Sequence, residues 1–340
     1  MMRDEKITIS KAIAITLMVI CHAGLPSRYS HFVSMFHMPL FFFVSGYCFK
    51  DKYLIETKQF LKNKLRGIYV PFVKWSLVFL VLHNVFFSLN VYGEMYDVKS
   101  LIKNAIYIIF SMNETEQLLG GYWFLKELFL GSILALTCFK YLKNNIGGAI
   151  LLLAIVIVSS WFKMDIPFIH IASRTFFAGF FIVMGREYKK LNYDMDKWSI
   201  TLMCFIIVMI GSIYCGTSML SYSAIQVVPY SICALMGTIM ILNLSHRITF
   251  HKNLLRNSLL FVGDHTLEVL TWHFLSFKLV SLFIICKNGL SLEELASFPI
   301  ISEYCAKYWI VYSLMGIAMP IGGVYIRQRI CIFMNKFNYK

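Results

Sequence analysis

The segment "KAIAITLMVICH", residues 11–22, begins with a lysine and ends with a histidine, and everything between them suits lipid. It reads as a helix that crosses a bilayer. Eleven helical steps of about 100° return the chain to nearly the same face, so Lys11 and His22 point the same way, about 16 Å apart along the axis. A cation and a titratable ring aligned across most of a membrane describe the wall of a channel or of a buried site. A plainer account is also open, in which Lys11 snorkels to one surface and His22 sits at the opposite boundary.

The rest of the chain extends the same pattern. Of 340 residues, 58% are hydrophobic and 15% charged, too little charge to cover a soluble domain of this size. The apolar residues come in blocks, at 77–89, 146–162, 200–214 and 225–244. Such runs read as transmembrane helices and exclude a large soluble helical core. The expected fold is all-α, a polytopic membrane protein forming one domain over 1–340. About ten spans are expected, near 7–24, 32–50, 68–90, 122–140, 146–162, 167–185, 198–215, 223–245, 258–286 and 304–326. The run 101–111 is too short to cross and reads as interfacial or re-entrant. The start "MMRDEK" has a basic character, but no A-x-A site follows and a second hydrophobic helix arrives at once, so the first helix reads as retained.

The net charge of +14 lies between the apolar blocks, with no basic stripe or RNA-binding motif, which argues against nucleic acid as a partner. It fits the positive-inside rule instead. The stretches 50–66, 186–197, 246–256 and 327–340 are basic, whereas 25–31, 216–222 and 287–298 are poor in Lys and Arg. With ten helices the two sets fall on opposite sides and both termini are cytoplasmic. The longest outer connection, about 91–121, contains "NETEQLLGG" and is a candidate lid. Nine scattered cysteines without a CxxC pair suggest neither a zinc site nor a disulfide framework.

Further polar residues sit where lipid would exclude them. "FHMPLFFFVSGYCF" (36–49) brings His37 close to His22 across a short loop, with Pro39 able to bend the helix and Ser45–Gly46 able to admit another backbone. Arg174 lies inside an apolar helix and calls for a cavity or a partner; Glu127 and Glu268 are both eligible. His273 falls in the outer half of the ninth helix, at the level of His22 and His37. Trp123 is either an interfacial anchor or part of the site. The other histidines, at 31, 83, 170, 246, 251 and 265, read as solvated or interfacial.

These pieces resemble the acyltransferase-3 family of membrane-bound O-acyltransferases. That family shows a basic residue, ten residues and a histidine in helix 1, then an FFxxSG segment in helix 2; here these are Lys11, His22 and "FFFVSG" (41–46). "LRGIYVPF" (65–72), "GYWFLKELF" (121–129), "SRTFFAGFFIVMG" (173–185) and "VGDHTLEVLTWHF" (262–274) follow in family order, so the likeness runs from about residue 6 to 325. Many members have arginine where Lys11 stands; lysine occurs in members resembling fucose O-acetylases, and it keeps the charge while losing the bidentate fork. Leu270 stands where the family's "YLxH"-like segment has tyrosine.

The resemblance implies an inner-membrane enzyme that moves an acyl group, most simply acetyl, from cytoplasmic acyl-CoA to a hydroxyl of a surface or lipid-linked sugar. Acyl-CoA is then a substrate, and no bound cofactor or metal is expected. It implies His22 as the base, a role imidazole suits near neutral pH, with Lys11, Lys64 and Arg66 meeting the donor. His37, Arg174, His273 and Trp123 would hold the acceptor. A transporter or flippase using the same residues as a pathway is the alternative, although no repeat relates the two halves and no pair of matched broken helices occurs.

Overall fold

The computed structural model describes residues 4–142, 144–166, 170–191 and 197–337, with side chains as far as 334. It is 81% helical. Helix α1, Glu5–His22, starts where the Asp4 carboxylate accepts the Ile7 N–H at 3.3 Å. The expected second span arrives as two helices, α2 (Ser27–Ser34) and α3 (His37–Tyr47). The cause is Pro39, which offers no N–H to the Met35 carbonyl and crowds it with its ring, so the chain breaks at Met35–Phe36. Helix α4 (Thr57–Lys64) continues through a π turn at Leu65–Tyr69 into α5 (Val70–Ser88). Pro71 cannot bond the Gly67 carbonyl four residues back, and Val70 N–H reaches Leu65 instead. Much of the basic stretch 50–66 is therefore helical.

Helix α6 (Val98–Ser111) is 14 residues long, about 21 Å, and short of the ~30 Å hydrocarbon core. Asn84 holds the backbone of Tyr96 at its start, and the Tyr69 hydroxyl donates to the Ile109 carbonyl near its end at 2.7 Å. It thus lies antiparallel along α5. A 3₁₀ turn at Gln117–Tyr122 leads into α7 (Trp123–Tyr141), followed by α8 (Asn145–Trp161). Strands β1 (Asp165–Ile166) and β2 (Ile171–Ala172) pair antiparallel, Asp165 opposite Ala172. The helix expected from 167 begins at Ser173 as α9 (Ser173–Lys190); residues 167–169 lie outside the described residues. The basic stretches 186–197 and 327–340 are likewise described only outside 192–196 and 338–340. Then come α10 (Trp198–Tyr214), α11 (Val227–Thr249), α12 (Leu254–Asp264), α13 (Thr266–Asn288) and α14 (Cys305–Phe337).

The expected helix 258–286 is broken at His265 into α12 and α13. Helix α12 lies along α1, held by the Arg256–Glu5 ion pair. Gly263 allows this approach, since a Cβ there would strike the Thr8 carbonyl oxygen. Helix α1 is central and touches α2, α3, α11, α12, α13 and α14. Helix α9 packs against α3, α7 and α8. The Ser45–Gly46 step does admit another backbone, and the partner is α9: a Cβ on Gly46 would strike the Ile182 carbonyl, and one on Gly185 the Phe43 carbonyl.

Five helices among the described residues are long and apolar enough to span a membrane: Thr57–Ser88, Gln117–Tyr141, Ala224–Thr249, Thr266–Asn288 and Ser302–Met334. Helices α8 and α10 are apolar but shorter. Those of the ten that fall short for other reasons include α1, α3 and α9. They carry Lys11, a proline break, and Arg174 with Arg186. The segments that build a polar interior are not uniformly apolar.

Candidate active site

Two cavities meet along α1. One, of about 290 Å³ at the Glu5 end, is lined by Lys11, Ile15 and Met18 of α1, Met38, Ser45 and Cys48 of α3, Gly67 of the π turn and Leu270 of α13. The other, of about 190 Å³, is lined by Met18, Cys21 and His22, by Ser34, His37 and Met38, and by Gly121, Trp123 and Ser218. Lys11, Ile15, Met18 and His22 follow helical spacing of four, three and four, which is why one stripe serves both. Lys11 and His22 thus share a face but line separate cavities, with Met18 and Met38 in both walls.

Lys64 donates to Ser45 Oγ at 3.0 Å and so reaches the wall of the Lys11 cavity. Arg66 is exposed on the π turn and does not line it. Gly67 does, and a Cβ there would meet only open space.

The structure brings His22 and His273 together. His22 Nδ1 lies 3.1 Å from His273 Nε2, and the rings stack with centroids 5.3 Å apart. The tautomers follow from the partners. His273 Nδ1 faces the carbonyls of Val269 and Leu270 at 3.1 and 3.0 Å, which only accept, so this nitrogen carries the proton. In a neutral ring Nε2 is then the acceptor, and His22 Nδ1–H donates to it. His22 Nε2 keeps its lone pair. His37 repeats the arrangement: its Nδ1–H donates to the Val33 carbonyl at 2.8 Å, leaving Nε2 as an acceptor.

A roof covers the pair. Phe274 stacks on His22 at 4.9 Å, and Phe298, from the 289–301 connection, packs on Phe274 at 4.7 Å. Buried Lys278 clasps that connection by donating to the carbonyls of Leu295 and Ser297 at 2.9 and 2.7 Å. Sequence reading passed over Lys278. An isolated lysine thirteen residues into an apolar helix was its only signal.

Arg174 and Trp123 lie together, the guanidinium 5.7 Å from the indole centroid. Both line a third, polar cavity of about 340 Å³ with Glu127, so Arg174 and Glu127 share a chamber without a direct ion pair among the described residues. Glu268 pairs instead with Arg327, at 3.5 Å. His83 is not solvated. It is buried, with Nδ1 2.9 Å from Glu116 and Nε2 3.2 Å from the Glu94 carbonyl, and it stacks on Tyr96. This cluster ties the long 91–121 connection to α5.

A family model described as an acyltransferase domain matches residues 4–327. The chain belongs to the acyltransferase-3 family. No curated protein and no solved structure matches it. The match runs from the cap of α1 well into α14 and takes in all three cavities. Family and helical make-up together give a membrane acyltransferase.

Proposed function

We propose that this acyltransferase-3 protein moves an acyl group, most simply acetyl, from cytoplasmic acyl-CoA to a hydroxyl of a surface or lipid-linked sugar. In this reading the chain acts as one domain of ten spans in a bacterial inner membrane, both termini cytoplasmic. Helices too short or too polar to cross alone, such as α1, α3 and α9, are sheltered by their neighbours. Acyl-CoA is a substrate, and no metal or bound cofactor takes part.

The observation that carries the reading is the pairing of cavities. A cationic cavity abuts one holding an imidazole whose Nε2 is available. Lys11, backed by Lys64, meets the anionic end of the donor from the cytoplasmic side. Exposed Arg66 adds charge at the entrance. The thioester passes between Met18 and Met38 to His22. His22 Nε2 takes the proton of the sugar hydroxyl as its oxygen attacks the thioester carbonyl. The C–S bond then breaks, and the imidazolium returns the proton to the departing thiolate. His273 holds the His22 tautomer and stabilises the imidazolium through the Nδ1–H bond. His37 Nε2 accepts from an acceptor hydroxyl, Arg174 and Trp123 hold the acceptor, and the hydroxyls of Ser34 and Ser218 supply donors for the oxyanion.

The test is purified protein in lipid with radiolabelled acetyl-CoA and membrane glycans, beside a stably inserted His22→Ala variant. Label entering glycan only with the wild type supports the proposal. Full turnover by His22→Ala removes His22 as base. Label from no acyl-CoA entering any glycan, with folded protein, favours a transporter.

A further inference from the structure

The polar cavity beside Trp123 is larger than the one holding His22, and the acyl-transfer reading uses only its Trp123 and Arg174 walls. Trp123 is the one residue among those described that lines both. The 3₁₀ turn before it places the indole there. Gly121 in that turn packs against Leu270 and comes near His273, and a Cβ on it would press to 2.9 Å from Leu270 Cδ1 and 3.9 Å from the His273 ring. The indole therefore stands at the doorway between the two spaces.

The chemistry of the larger space is specific. Lys126 donates to Asn113 Oδ1 at 2.8 Å, and Arg174 lies over the indole. Glu127 is 2% exposed, and its Oε2 is buried outside ordinary hydrogen-bond geometry, with the Thr175 hydroxyl as its protein neighbour. Thr115 Oγ1 in the same wall is buried without a partner. A buried carboxylate oxygen without a donor is unfavourable, and a ligand hydroxyl would supply that donor. The wall carries three acidic side chains, Glu114, Glu127 and Asp165, against Lys126 and Arg174, and His170 Nδ1 lies 2.7 Å from Asp165 Oδ2. That balance does not attract a polyanion. It suits hydroxyls, which donate to carboxylates and accept from ammonium and guanidinium, beside an indole that packs the apolar face of a sugar ring.

We propose that the Trp123–Lys126–Glu127–Arg174 cavity is a second sugar subsite, so that the acceptor is an uncharged glycan of at least two units. One unit presents its hydroxyl to His22 while its neighbour occupies the polar cavity. This inference rests on the acyl-transfer reading above and deepens it by naming the acceptor class.

Surface glycan is hydrolysed and separated into pools of one, two and four sugar units, each split into neutral and anionic fractions. Labelled acetyl transfer to each is measured for the wild type, Glu127→Gln and Trp123→Ala in lipid. Thermal shifts with each pool, without donor, report binding apart from turnover. The wild type should show kcat/KM about tenfold higher for two neutral units than for one, and Glu127→Gln should bring that ratio close to one. The two-unit pool should raise the wild-type Tm and not that of Glu127→Gln. Equal kcat/KM for one and two units overturns the second subsite, as does a length preference that survives both substitutions. Preference for the anionic fraction overturns the uncharged class. Transfer to no pool and to no intact glycan overturns the underlying acyl-transfer reading instead.

Discussion

Replacing His273 by phenylalanine separates a base from its support. The substitution keeps a ring beside Phe274 and Phe277 but removes the acceptor 3.1 Å from His22 Nδ1. In the ground state that bond is neutral and contributes about 0.5–1.5 kcal/mol. Once His22 holds the substrate's proton the donor is charged, and the bond contributes about 1.5–3 kcal/mol. Only the increase, about 1–2 kcal/mol, lowers the barrier, which corresponds to about 5- to 30-fold in kcat. Losing the tautomer preference adds a further factor of a few, giving about 10- to 100-fold in all. His22→Ala removes the base itself and should cost about 10²- to 10⁴-fold. The assay is steady-state acetyl transfer in lipid discs, with KM for acyl-CoA measured alongside. The expected result is a kcat loss between wild type and His22→Ala with donor KM little changed. His273→Gln, whose side-chain oxygen accepts, should recover part of it. Wild-type kcat in His273→Phe, or a loss as deep as that of His22→Ala in a protein of normal Tm, would refute the tautomer reasoning.

Other expectations follow from the same geometry. Lys11→Ala should raise KM for acyl-CoA by about tenfold, the loss of about 1.4 kcal/mol of binding, with kcat changed less; an unchanged donor dependence removes Lys11 from donor binding. Met18→Trp should close the passage between the two cavities and lower transfer by more than about tenfold, while coenzyme A still protects a cysteine placed at Ile7 from labelling; undiminished transfer shows that the acyl group takes another route. Gly46→Val should destabilise by about 3 kcal/mol or more, because its side chain meets a backbone carbonyl of α9 that cannot rotate away. The check is the yield and Tm of purified protein, and a Tm within error of the wild type contradicts that packing.

The sequence by itself determined the class of the fold and the stripe on which the chemistry lies. Long apolar blocks exclude a soluble core, and the eleven-residue spacing of Lys11 and His22 fixes one helical face, since both depend on local periodicity alone. Pro39 marked a bend, and Ser45–Gly46 a close contact, because each acts through its own backbone. The contact's partner was not legible: Ile182, whose carbonyl Gly46 meets, lies in a later helix, and only packing joins them. The break at His265 also needed the tertiary structure, since α12 runs along α1 from Arg256 at Glu5 to Gly263 at Thr8 before the chain turns into α13. His22 and His273 are 251 residues apart, and no pattern within either helix tells which nitrogen of one ring faces the other. His83 looked solvated because its partners, Glu94 and Glu116, come from a connection whose path over α5 is set by tertiary contacts. The division into a Lys11 cavity and a His22 cavity is of the same kind. Two methionines from different helices make it, and an apolar residue carries no sign in the sequence that it stands between two cavities rather than inside a core.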